Sequence, residues 1–205
     1  MPQNPNQVLI GLNGTTPIAI PTFTGDKSLS VSQTMADYYR PVFGGLVFSA
    51  ANQTGQTTSA GLATTYTGLC LSNPAASTAN LIVIGVSAAM SVAPSTITSI
   101  GLIAGYSAAG VVTHTTPATV RNEIVGSTTT GQGLADTACT IVGTPYWDRF
   151  IAQCSTATTA GFGYFDLKGA IVIPPGGYLA IGTSIASPAN SLLGSLHWIE
   201  RPIAG

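Results

Sequence analysis

Short apolar runs recur along this chain at roughly 10–15-residue intervals, separated by clusters of Gly, Pro, Asn and Ser. Ser28 to Gln33 (SLSVSQ) alternates polar and apolar positions, the mark of a half-buried strand. Val42 to Phe48 (VFGGLVF) predicts a strand bent at Gly44-Gly45. Ala50 to Ala63 is a polar loop, Tyr66 to Leu71 a strand, and Ser72-Asn73-Pro74 the turn that ends it. Leu81 to Val92 and Ile97 to Ser107 predict a pair of strands so uniformly apolar that both faces should be covered. Val111 to Thr116 and Val120 to Val125 are shorter strands, followed by a second loop, Ser127 to Thr137. Strands are expected again at Cys139 to Val142, Trp147 to Ile151, Phe162 to Leu167 and Ala170 to Ile173. The turn Pro174-Pro175-Gly176-Gly177 then separates the last of these from Tyr178 to Thr183. Leu193 to Ile199 closes the series, which amounts to about ten or eleven strands. Helix formers are scarce, and no helix is predicted.

Two segments fall outside this rhythm. The first 25 residues hold prolines at 2, 5, 17 and 21. Proline removes a backbone donor, so Met1 to Asp26 reads as an extended arm, ahead of a single β-sandwich over 27–205. From residue 41 to 120 the chain carries no formal charge. Pro94 and the serines and threonines around it break that stretch into strand lengths, which argues against a membrane-spanning helix. The N-terminus shows no signal-peptide pattern.

Composition sharpens the picture. Of 205 residues only 6% are charged, against about 25% in an ordinary domain. Thirteen charges spread over roughly 8,900 Å² leave a surface that would associate with itself. With 6 Lys+Arg there is no basic patch for phosphates and no polybasic membrane anchor, so neither nucleic acid nor membrane is expected as a partner. Cys70, Cys139 and Cys154 are too few and too widely spaced for a disulfide framework or a zinc signature, and read as packed thiols from a reducing compartment.

Catalytic chemistry finds few parts. His114 and His197 lack the companion ligands of a metal site. Asp136, Asp148, Asp166 and Glu200 are carboxylates of the kind a glycosidase pairs, but Asp148, Asp166 and Glu200 each have a cation within two residues. Gly131-Gln132-Gly133 and Gly161-Phe162-Gly163 lack a following phosphate-binding helix. The chain therefore reads as non-enzymatic, with no cofactor and no metal. Tyr38-Tyr39-Arg40 has the composition of an interface anchor. Tyr146-Trp147-Asp148-Arg149 groups two aromatic rings, a carboxylate and a guanidinium in a polar-looking turn, which suits a glycan or a protein partner.

Two segments carry a resemblance. Thr67 to Gly105 runs from a leucine-bearing strand through an Asn-Pro turn into two apolar strands. Gly169 to Pro202 carries PPGG-Tyr and then His197-Trp198-Ile199-Glu200-Arg201-Pro202. Together they resemble structural proteins of tailed-bacteriophage particles, in particular small jelly-roll proteins that decorate or cement the head. The resemblance implies an all-β, jelly-roll-like β-sandwich in which the PPGG segment forms a closing hairpin. It also implies a homotrimer made in the host cytoplasm and bound to the major capsid protein on the capsid surface. A head-fibre or tail module that binds host glycans is the alternative reading. A single-jelly-roll coat protein is the next, although an arm free of Lys and Arg before Lys27 does not suit a genome-facing role.

Overall fold

The computed structural model describes residues 38–108, 112–155 and 161–203. The expected arm and the Ser28 to Gln33 strand lie outside them, as does the proposed boundary at residue 26. The β unit runs from Arg40 to the C-terminus. It opens with a single helical turn, Tyr39–Phe43, and continues with β1 Val47–Ala51, β2 Thr65–Ser72, β3 Ala79–Met90, β4 Thr98–Tyr106, β5 Thr113–Ala118 and β6 Val120–Asn122. There follow β7 Leu134–Thr140, β8 Tyr146–Cys154, β9 Gly161–Ile173, β10 Gly177–Thr183 and β11 Leu192–Pro202.

Two antiparallel sheets pack as a sandwich. One has the order β6-β1-β11-β3-β9 and the other β5-β7-β2-β10-β4-β8. Setting β5 to β7 aside, the remaining eight strands form two four-stranded sheets, β1-β11-β3-β9 and β2-β10-β4-β8, which is jelly-roll wiring. The β5–β7 segment is an excursion that widens both sheets at one flank, with β6 beside β1 and β7 beside β2.

This wiring corrects two expectations. The apolar runs β3 and β4 are consecutive but lie in opposite sheets. The PPGG turn likewise joins β9 to β10 across the sandwich and does not form a hairpin. It is locked to the Ser72-Asn73-Pro74 turn. Asn73 N–H donates to the Gly177 carbonyl at 2.9 Å, and Gly176 N–H, at φ 85°, donates to the Asn73 carbonyl at 2.8 Å. Other boundaries move: the strand from Val120 ends at Asn122, and the runs at Phe162 to Leu167 and Ala170 to Ile173 are one bulged strand, β9. Val42 and Phe43 belong to the helical turn, which Gly45 ends at φ 69°, so β1 begins only at Val47. The second loop ends before Leu134, because Ala135 and Asp136 are buried in β7.

Inward positions build the main core. Leu69 and Leu71 of β2, Ile100 and Leu102 of β4, and Leu179 and Ile181 of β10 face Leu81, Val83, Val86, Leu196 and Trp198 of the opposite sheet. Trp198 is wholly buried and stacks on Phe48 at a centroid distance of 6.3 Å. Alternate residues of a strand face opposite ways. Tyr178 and Ala180 of β10, Cys70 of β2, Ile103 of β4 and Cys139 of β7 accordingly form a second apolar cluster on the outer face of the six-stranded sheet. Val112 and Ile141, which flank β5 and β7, join that cluster. Burial on both faces was expected of β3 and β4 from their apolar runs, and at β4 the chain itself supplies the outer cover, through the cluster that holds Ile103.

Among the described residues, all four outermost strands carry an obstacle to further pairing. β5 contains Pro117 and β6 has three residues, including Arg121. β8 is bulged twice against β4, leaving Asp148 and Ile151 without a paired residue. β9 is interrupted by a bulge in which Lys168 sits at φ 50° and Asp166 Oδ1 accepts its N–H at 2.8 Å. Among the described residues, no helix is long and apolar enough to cross a membrane.

Candidate functional site

The Tyr146 to Arg149 group lies in an edge strand, not a turn. The β8 bulge at Asp148 lets two sequence neighbours meet, so that Arg149 Nε donates to Asp148 Oδ2 at 2.6 Å. Trp147 lies across the outer face opposite Ile103, over Gly101 and Gly182, where any Cβ would collide with it or with Ile103. Phe150 leans on Trp147 at 4.8 Å between ring centroids. Tyr146 and Phe150 are 54% and 56% exposed. The result is an aromatic platform fixed on a rigid strand, with one internally paired charge couple at its side.

The Tyr38 to Arg40 group is less built. Arg40 is exposed in the helical turn and Tyr38 is half-buried, while the Tyr39 side chain lies outside the described residues. Phe43, one turn on, is 75% exposed.

Both histidines sit in hydrogen-bonded chains that sequence spacing did not reveal. His114 of β5 and Asp136 of β7 lie on adjacent strands, and His114 Nδ1 is 2.6 Å from Asp136 Oδ2. Asp136 is completely buried and its Oδ1 has no hydrogen-bond partner. Burial raises its carboxyl above the ordinary range, and His114 partly opposes this. Asp136 is opposite Cys70 in register. The Cys70 thiol is itself pushed well up, first by its hydrogen bond with Cys139 and then by burial.

On the other outer face, Ser87 Oγ is 2.7 Å from Ser195 Oγ, Ser195 Oγ is 3.2 Å from His197 Nε2, and His197 Nδ1 is 3.2 Å from Glu123 Oε1. This is the order of groups that activates a serine nucleophile. Ser195, however, lies in a strand paired on both sides, with Ala51 of β1 and Ser87 of β3. The amide before it, Gly194 N–H, donates to Asn52 Oδ1 at 2.5 Å and is not free to hold an oxyanion. The Tyr164 ring packs edge-on against His197 at 5.6 Å.

Each of the four candidate carboxylates has a partner of its own. Asp136 holds His114, Asp148 holds Arg149, and Asp166 accepts from the backbone of Lys168. Glu200 is buried and faces inward, while its neighbour Arg201 is exposed. It accepts from the N–H of Gln132 at 2.9 Å, of Gly133 at 3.0 Å and from Trp198 Nε1 at 3.2 Å. A Cβ at Gly131 would lie 2.6 Å from Glu200 Oε1. The Gly-Gln-Gly loop therefore does hold an anion, one supplied by its own chain. Between this loop and the β5/β7 flank lies a cavity of about 430 Å³, lined by His114, Pro117, Val120, Thr129, Thr130 and Leu134 among others.

Among the described residues, no group of three or more His, Cys, Asp or Glu side chains is placed to hold a metal ion. No protein family, curated protein or solved structure matches this chain.

Proposed function

We propose that this chain is a non-enzymatic structural subunit of a virus particle. In this reading it decorates or cements a phage capsid through contacts with the major capsid protein and with copies of itself, as a homotrimer. One observation carries the reading: large apolar side chains stand exposed on rigid strands of a chain with 6% charged residues. Tyr146 and Phe150 do so on β8, and Tyr164, Phe165 and Val172 do so on β9. Exposed apolar area of this kind marks association surfaces. An interface of about 1,600 Å² suffices for a specific, stable contact. The function is then mechanical. Each subunit adds buried area across joints of the shell, and ring closure buries one patch per copy without generating fibres. The three buried free thiols suit assembly in a reducing host cytoplasm. Light scattering at micromolar concentration, with co-sedimentation on phage heads lacking decoration, tests the reading. Oligomers that bind the heads are expected. A stable monomer without head affinity overturns it.

A second reading rests on the Trp147–Phe150 ring pair, which offers a stacking surface for a sugar beside Asp148 and Arg149. It makes the chain a glycan-binding head-fibre or tail module. Specific binding on a glycan array, abolished by Trp147→Ala, favours this reading over the first.

A further inference from the structure

We infer that the cavity between β5, β7 and the 129–133 loop is a binding site for a compact ring molecule bearing a hydroxyl, a cyclic alcohol or phenol, with His114 Nε2 as its hydrogen-bond acceptor. The volume, about 430 Å³, falls within the roughly 300–1,000 Å³ range of small-molecule sites. Its walls are mainly aliphatic, from Pro117, Val120 and Leu134, and among the described residues the only titratable side chain lining it is His114. Such walls suit an apolar body and do not suit an ion.

The polar anchor is fixed from behind. Asp136 is buried and short-bonded to Nδ1. A carboxylate accepts, so Nδ1 carries the hydrogen, and in the neutral ring Nε2 presents its lone pair. The imidazole is half-exposed, with 30% of the side chain accessible, so a ligand reaches it from solvent. The opposite wall is equally fixed. Glu200 holds the backbone of Gln132 and Gly133, and the Gln132 side chain accepts from Thr78 N–H at 2.8 Å and Ser77 Oγ at 3.0 Å. Both walls are thus set before any ligand arrives, which lowers the cost of ordering on binding. A ring gives up least of its own freedom in such a site. The hydroxyls of Thr129 and Thr130 are the remaining side-chain polar groups of the lining.

The test is a titration of the full chain, followed at the histidine ring resonances. His114 and His197 are the only two, so the second serves as an internal control. Phenol, cyclohexanol and toluene are the probes. Phenol and cyclohexanol should shift His114 saturably and leave His197 unmoved. Toluene should bind about fivefold more weakly, the equivalent of one net hydrogen bond. His114→Phe, in which the reporter ring is gone and binding is read by calorimetry, should bring the three probes to equal affinity. Leu134→Trp, which fills the cavity from its exposed rim, should abolish binding of all three. Absence of a saturable shift at His114, equal affinity for toluene and phenol in the parent protein, or equal responses of both histidines overturns the inference.

Discussion

Tyr66 and Tyr178 lie in the same buried cluster, yet only Tyr66 has a partner for its hydroxyl. The Tyr66 O–H donates to the Ile181 carbonyl at 2.6 Å, with the Leu69 carbonyl at 3.0 Å, whereas the Tyr178 hydroxyl has no partner. Tyr178 is pushed up to about 12, first by burial and then by the nearby thiols of Cys70 and Cys139. The two positions should respond oppositely to the same change. Tyr66→Phe orphans a buried carbonyl and should cost about 1–2 kcal/mol. Tyr178→Phe removes an unpaired polar atom pressed against Gly105 and should be neutral or stabilising by up to about 1 kcal/mol. Urea unfolding of the two variants checks the pair, and equal losses would contradict it.

Asp136 sets a pH dependence with a definite sign. Its carboxyl is raised from 3.8 in the folded protein, so the native state holds the proton more tightly than the unfolded chain. The stability this group contributes is full below 3.8 and is lost as pH rises through the raised native value. Asn at this position cannot titrate and still accepts from His114 Nδ1. The parent protein should therefore lose stability relative to Asp136→Asn as pH climbs through that window. A gap that moves the other way in unfolding experiments across the acidic range would refute the assignment.

Glu200 fastens a loop to the core from 67 and 68 positions away along the chain. Glu200→Gln turns one acceptor oxygen into a donor that faces other donors. It should cost at least about 1.5–3 kcal/mol. Amide hydrogen exchange at Gln132 and Gly133 should accelerate more than exchange in β10, which reports only global opening. Uniform acceleration would mean that the carboxylate does not act locally.

The proposed association surface makes its own prediction. Phe150 is exposed and supported by Trp147, so Phe150→Lys should leave the fold intact and weaken assembly by about tenfold or more if Phe150 is an interface anchor. Sedimentation of the parent and variant chains reads this directly. Unchanged association with an unchanged melting temperature would move the interface away from β8.

The strands were legible because apolar runs with Gly and Pro punctuation report local backbone preference. The β2 and β10 runs at Tyr66 to Leu71 and Tyr178 to Thr183 fall within a residue of their observed ends. Pairing was not legible, because it joins segments far apart. β11 lies between β1 and β3, and no local signal states that Trp198 belongs opposite Val83. The same distance hid the sites. His114 and Asp136 are 22 positions apart and meet only because β5 pairs with β7. The available hint was negative: Asp136, unlike the other three candidate carboxylates, has no cation near it in sequence. Strand alternation already sets Glu200 and its neighbour Arg201 on opposite faces, but nothing local states that the inward one is Glu200 or that the 132–133 amides come to meet it.

The obstacles on the four outermost strands have a consequence for how such a chain survives at high concentration. A nearly uncharged β protein with open ladders is a template for cross-β stacking. Here a proline, a three-residue strand and two sets of bulges interrupt every rim. Any contact between copies would thereby be channelled into side chains on the broad faces, whose shape is specific, and away from the main chain, whose hydrogen bonding is not. The molecule can be adhesive without being amyloidogenic.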